Sequence, residues 1–157
     1  MQDQIDIGFG DAVTPGPINA VYPVLIDDFP APRLRTYPVY TVIAEKLHAI
    51  AVLGMTNSRL KDYRDLSVLL QRETLDAEIL ARAIAATFAR RGTAVSASLP
   101  IGLTNEFAAD PSRQALWHAF IKKNELAQQA LPDIVATLGS ALEPALRRAI
   151  SLPDQPR

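Results

Sequence analysis

Cysteine is absent from the 157 residues. That excludes disulfides, thiolate-bound zinc, iron–sulfur clusters and a cysteine nucleophile. Histidine occurs only as His48 and His118, so a multi-histidine metal centre is excluded too. No uninterrupted apolar run approaches the ~18 residues of a membrane-spanning helix. The polar start MQDQIDIG lacks the basic and then apolar regions of a secretory signal. Both absences lead to the expectation of a cytoplasmic protein. An excess of one charge is missing as well: 16 Lys+Arg face 17 Asp+Glu. Bulk charge therefore excludes a strongly basic nucleic-acid binder, although a local basic patch remains open. Serine-nucleophile, P-loop and glycine-rich dinucleotide patterns are not found. What is present is a chain with 48% hydrophobic and 21% charged residues, enough to fold around one core.

Charge is unevenly placed. Residues 1–32 carry five acids and no Lys or Arg, and residues 33–65 carry six bases and three acids. Such neighbours either pair within the fold or build a site where carboxylates hold a metal and bases hold phosphates. Hydrophobic period divides the chain similarly. Ile5 to Phe9 alternates as a strand does, Val21 to Ile26 is rich in β-formers, and Leu34 to Tyr37 is a third short strand closed by Pro38. From Thr41 the spacing is helical. A first helix ends at Gly54, and a second is capped by Asn57 or Ser58. A third opens at Thr74 or Asp76, and a fourth runs from Asp110-Pro111 to about Leu126. The last opens at Leu131-Pro132-Asp133, where Pro144 is expected to kink or split it. The expected class is α+β, with short N-terminal strands followed by a helical bundle over residues 39–152 and a frayed tail over residues 153–157.

Few residues could carry chemistry. Asp6, between Ile5 and Ile7, points away from them, towards solvent or a cleft. Lys46 lies beside the apolar stripe of its helix. It either snorkels at the core edge or reaches into a cleft as a counter-charge to phosphate. In Arg59-Leu60-Lys61-Asp62-Tyr63-Arg64-Asp65-Leu66, Arg59 can pair with Asp62 and Lys61 with Asp65 along one helix. Bases at a helix N-terminus oppose its dipole, which is tolerated more easily where they meet an anion. His48 and His118 read as packed or exposed, and Trp117 with Phe120 and Ile121 as a core anchor.

In order and spacing, Ile5-Asp6-Ile7-Gly8-Phe9-Gly10-Asp11, Tyr37-Pro38, Ala44-Glu45-Lys46-Leu47 and Arg59 to Leu66 resemble the C-terminal half of the AbiEii/AbiGii family. These are nucleotidyltransferase-like toxins of bacterial toxin–antitoxin and abortive-infection (phage-defence) systems, within the DNA polymerase β-like superfamily. The resemblance covers residues 5 to 125. It implies transfer of a nucleotide from an NTP to an RNA such as tRNA, with Mg²⁺ as cofactor and a cognate antitoxin as partner. By the same resemblance, Asp6 is a metal-facing carboxylate, Lys46 contacts the nucleotide phosphates, and Asp62 is the acid of the last motif, with Asp65 beside it. Arg59 and Lys61 would line the phosphate-facing side. Residues 1–38 would be a strand-rich part of a truncated nucleotidyltransferase sheet. The family's first motif, a Gly-Ser or Gly-Gly turn followed by a strand with Asp-x-Asp or Asp-x-Glu, does not precede Asp6, and Asp27-Asp28 lacks the glycine turn. The implied consequences are inactivity as an isolated chain, an open sheet edge, and a complementary N-terminal half as a further partner. The alternative is a non-catalytic helical module that binds an antitoxin or that half.

Overall fold

The computed structural model describes residues 10–24, 26 and 28–152. The strand expected at Ile5 to Phe9, Asp6 within it, and the tail over residues 153–157 lie outside the described residues. Among these residues two short antiparallel strands, β1 (Ile18–Val21) and β2 (Arg33–Thr36), are followed by six α-helices. The helices are α1 (Val39–Leu53), α2 (Leu60–Arg72), α3 (Ala77–Arg90), α4 (Asn105–Ala109), α5 (Pro111–Lys123) and α6 (Leu131–Ile150). This is the α+β arrangement of strands first and helices after.

The strands form a two-stranded ribbon in which Ile18 faces Thr36 and Val21 faces Arg33. β1 begins before the expected Val21, and Val21 is its last residue. Tyr22 still donates to Pro32 O at 2.9 Å, but Pro23 has no N–H with which to continue the ladder. Among the described residues neither edge of the ribbon pairs with a further strand, and the strand at which an open edge is expected, that of Asp6, lies outside them.

The helices hold the core. α1 packs against α3 and α2, and α6 lies across α3, α2 and α4. Ile43, Leu47 and Ile50 of α1 meet Ile84 and Phe88 of α3 and Leu138 and Leu142 of α6 in one buried cluster. The window Val39–Thr56, with a mean hydropathy of 1.3, is long and apolar enough to cross a membrane by length and composition. Counting uninterrupted apolar runs missed it because Glu45, Lys46 and His48 break the run. Here its apolar face lies in the core.

Helix ends follow local chemistry. Asp76 caps α3 by accepting from Glu78 N and Ile79 N, and Asp110 caps α5 by accepting from Arg113 N. α5 stops at Lys123, short of Leu126. Glu125 takes φ 52°, and Leu126 N bonds Ile121 O at 3.1 Å, which closes the helix with a left-handed residue. Thr104 stands at the cap position of the short helix α4, which buries Phe107 and Ala108. Pro144 does not split α6, which runs unbroken to Ile150. Leu138 and Leu142 before the proline and Leu146 after it are buried on the same face, and that burial offsets the lost hydrogen bond. Trp117 and Ile121 are core residues, and Trp117 Nε1 donates to Gln129 O at 2.7 Å.

Candidate functional site

α1 and α2 meet beside a charged cleft because each places an ionic residue next to its buried stripe. In α1, Ile43, Ala44 and Leu47 are fully buried, and Lys46 lies at the edge of that stripe. In α2, Leu60, Tyr63 and Leu66 enter the core, which sets Asp62 and Asp65 one turn apart beside them. Two anchors fix α2. Tyr63 stacks on Phe107 with ring centroids 5.3 Å apart, and its hydroxyl donates to Gly102 O at 2.9 Å. Gly102 has to be glycine, since a Cβ there would lie 2.8 Å from Ile50 Cγ2 and 2.9 Å from the Tyr63 hydroxyl. Before the helix, the buried Asn57 accepts Arg113 Nη1 on its carbonyl and Arg59 N on its Oδ1, each bond 2.9 Å or shorter. Asn57 therefore braces the turn, but the cap position itself is Arg59, which offers no capping side chain.

The ammonium of Lys46 bridges the two carboxylates. Nζ donates to Asp62 Oδ1 at 2.9 Å and to Asp65 Oδ2 at 2.7 Å. Lys46 does not snorkel to open solvent: its side chain is 20% exposed, that of Asp62 6% and that of Asp65 32%. Burial pulls the Lys46 pKa down. The hydrogen bonds from Asp65 and Asp62, and their charges, outweigh it, and the net shift is upward. Arg59 Nε lies 3.1 Å from Asp62 Oδ2, so the base at the start of α2 meets an anion as its position requires. That contact is not aligned as a hydrogen bond, and Asp62 Oδ2 is buried without a donor. Lys61 is exposed and does not pair with Asp65, which Lys46 has taken.

The opposite wall comes from α1, the end of α3 and the segment before β1. Arg91 Nη2 bonds Glu45 Oε2 and lies 3.8 Å from Asp11 Oδ1. Tyr37 donates its hydroxyl to Asp11 Oδ2 at 3.2 Å, and this bond to a carboxylate raises its pKa. Thr14 N and O both bond Thr41 Oγ1, which ties the segment down on α1. His48 is buried edge-on against Phe88, with Nε2 3.1 Å from Thr93 Oγ1. Its pKa is lowered, first by burial and then by the charge of Arg91, with Glu45 opposing.

The folded state thus favours the neutral imidazole of His48, while the unfolded chain takes up a proton near 6.5. The stabilising contribution is complete above that pH and is lost as pH falls through the lowered folded value. His48→Gln should therefore flatten the acid limb of stability against pH below 6.5 in denaturant titrations. Parallel limbs for the two proteins would show that His48 does not titrate as its burial requires.

The cleft between these walls has a volume of about 350 Å³. Its lining carries Asp11, Glu45 and Asp62 against Lys46, Arg59 and Arg91, so opposite charges balance. Of the residues singled out in the sequence, Lys46, Asp62 and Asp65 are brought together. Arg59 lies at the rim with a side chain 63% exposed, and Lys61 does not line the cleft. Asp11, Tyr37, Glu45 and Arg91 were not singled out as site residues. Asp11, Tyr37 and Glu45 do fall within the segments that carry the family resemblance, but Arg91 left no signal beyond its place at a helix end. Among the described residues no group of three or more acids or histidines can hold a metal ion. Asp62 and Asp65 do not fit Mg²⁺, because an ammonium already occupies the position between them.

A family model described as nucleotidyl transferase AbiEii toxin, type IV toxin–antitoxin system, matches residues 3–149. Neither the curated proteins nor the solved structures contain a match to the chain.

Proposed function

The chain belongs to the AbiEii family of nucleotidyl transferase toxins of type IV toxin–antitoxin systems, and from that premise we propose that the α1–α2 cleft receives the phosphates of an NTP whose nucleotide goes to an RNA such as tRNA. The observation that carries this reading is the Lys46 ammonium, held between Asp62 and Asp65 on the cleft lining with two of its three N–H groups engaged. The third can donate to a phosphate oxygen, and Arg59 at the rim adds a second cation. Asp62 and Asp65 hold the ammonium in place, which lowers the entropic cost of using it. Lys61, exposed and outside the cleft lining, is assigned only a secondary role on the same helix.

The family's chemistry generally calls for a divalent metal. We assign Asp6 to it, with the paired carboxylates of the first motif missing from these 157 residues. The isolated chain then binds nucleotide without transferring it, and a cognate antitoxin and a complementary N-terminal half are its proposed partners in the cytoplasm. Incubation with Mg²⁺, labelled NTPs and total tRNA should give no incorporation above a Lys46→Ala control, while equilibrium dialysis detects ATP on the wild-type chain alone. Incorporation above that control would mean that other acids build the metal site. Equal ATP binding by both proteins would remove Lys46 from the phosphate site.

A second reading, a non-catalytic interaction module, is favoured by one observation. Ile18 and Leu34 lie on one face of the ribbon, exposed, and Ile26 and Phe29 are exposed near its tip. A two-stranded ribbon with an uncovered apolar face is marginal by itself and gains stability from a protein partner.

A further inference from the structure

The other face of the ribbon is basic. Residues directly opposite in an antiparallel pair point the same way, and successive residues alternate. The register therefore puts Arg33 with Val21 and Arg35 with Asn19 on one side, and Leu34 with Ala20 and Thr36 with Ile18 on the other. Arg33 and Arg35 are exposed, and among the described residues neither side chain forms an ion pair, their hydrogen bonds being those of the strand backbone. By contrast Lys46, Arg59, Arg91 and Arg113 each face an acid. Two arginines spaced i,i+2 along a strand stand about 6.5–7 Å apart. That places two guanidinium groups in a row, suited to successive backbone phosphates. Two residues past Arg35 comes Tyr37, half exposed, and it lines the cleft that holds Lys46. The cationic row thus leads to an aromatic ring at the cleft and then to the cleft cations. Single-stranded nucleic acid is held by this combination, with cationic side chains for the backbone phosphates and an aromatic face on which a base stacks.

The geometry points to the Arg33–Arg35 face of the ribbon as the docking track for a single-stranded RNA end, which it leads past Tyr37 into the α1–α2 cleft. This assignment rests on the cleft being the site of nucleotidyl transfer. Because the chain as a whole carries no excess positive charge, RNA affinity must come from a local patch, and removing two cations should be felt strongly.

The test uses the whole chain and a fluorescein-labelled single-stranded RNA of about 12 nucleotides, within the span of single-strand sites. Binding is followed by fluorescence anisotropy as salt is raised. Arg33→Gln with Arg35→Gln should reduce the slope of log affinity against log salt by about 1.4, two contacts at about 0.7 each. Between about 50 and 200 mM salt the wild type should then lose roughly sevenfold more affinity than this variant. Arg33→Lys with Arg35→Lys, which keeps the charge, should restore most of the slope, and Arg147→Gln with Arg148→Gln on α6 should leave it unchanged. Ribbon substitutions touch no core residue, and thermal melting verifies the fold. RNA affinity unchanged in the glutamine pair overturns the proposal, as does absence of RNA binding by the wild type. If the glutamine pair loses self-association in sedimentation yet keeps RNA binding, the face serves a protein contact and the proposal is likewise overturned. ATP binding in the same preparations separates the two assignments. ATP affinity that ignores Lys46→Ala sinks the cleft reading and with it the destination of the track, while RNA affinity that still depends on the ribbon arginines supports the ribbon as the RNA-binding face. RNA affinity that ignores the ribbon arginines, with ATP still dependent on Lys46, sinks the track alone.

Discussion

Lys46→Ala should lower the free energy of unfolding by about 2–4 kcal/mol and abolish nucleotide binding together with it. Removing one partner of a buried ion pair costs about 3–5 kcal/mol because the other charge stays buried and uncompensated. Asp62, 6% exposed, fits that description, while Asp65 at 32% can turn to water, which reduces the figure. Arg59 compensates Asp62 only in part, since it is largely exposed and not aligned as a donor. Urea denaturation measures the loss. Lys46→Met combined with Asp62→Leu should recover a substantial part of it, since an apolar pair of similar volume leaves no buried orphan charge, and Asp65 and Arg59, which lose their partners, can turn to water. ATP affinity should stay lost in the double variant, which distinguishes the lysine's chemical role from its structural one. The raised Lys46 pKa adds an alkaline signature. Its contribution is complete below 10.5 and disappears as pH rises through the folded value, a decline that Lys46→Ala should not show. A loss of stability within experimental error of zero would mean that the bridge is a surface pair of negligible worth.

Tyr63→Ala should be the most damaging single change in the site's support, at about 3–5 kcal/mol for an aromatic removed from a core. The ring is fully buried, stacks on Phe107, and holds α2 to the turn at Gly102. Since α2 carries Asp62 and Asp65, loosening it should also disperse the carboxylates that hold Lys46. Tyr63→Phe keeps the stack and removes only the bond to Gly102 O, a change worth about 1–2 kcal/mol when a buried acceptor loses its donor. The expected pattern is a folded phenylalanine variant with ATP affinity near wild type, and an alanine variant deficient in both. Equal stabilities for the two variants would place the hydroxyl rather than the ring in charge of α2.

Much of this was open to reading along the chain, for physical reasons specific to each element. Asp76 and Asp110 could be placed as caps because a cap bonds N–H groups only two or three residues away. The apolar spacing of α1, α2, α3 and α6 reported their buried faces because helical periodicity is local. Proline was less informative. Pro23 shortened β1 as its missing N–H requires, whereas Pro144 was absorbed into α6 by burial on both sides of it, which no local rule contains.

For the site, sequence alone determined that Lys46 stands at the edge of a helix's apolar stripe and that Asp62 and Asp65 share a face of another, together with the family that these residues mark. It could not determine whom they meet. Pairing at i,i+3 and i,i+4 offered Arg59 to Asp62 and Lys61 to Asp65, since those are the only partners that lie within reach along one helix. The tertiary fold kept the first and replaced the second. Packing of α1 against α2 carries an ammonium from 19 residues away to within 2.7 Å of Asp65. Arg91 at the end of α3 reaches Glu45 across 46 residues in the same way. Ion pairs of this kind depend on how the buried faces of two helices meet, and that angle is a property of the assembled core rather than of either segment.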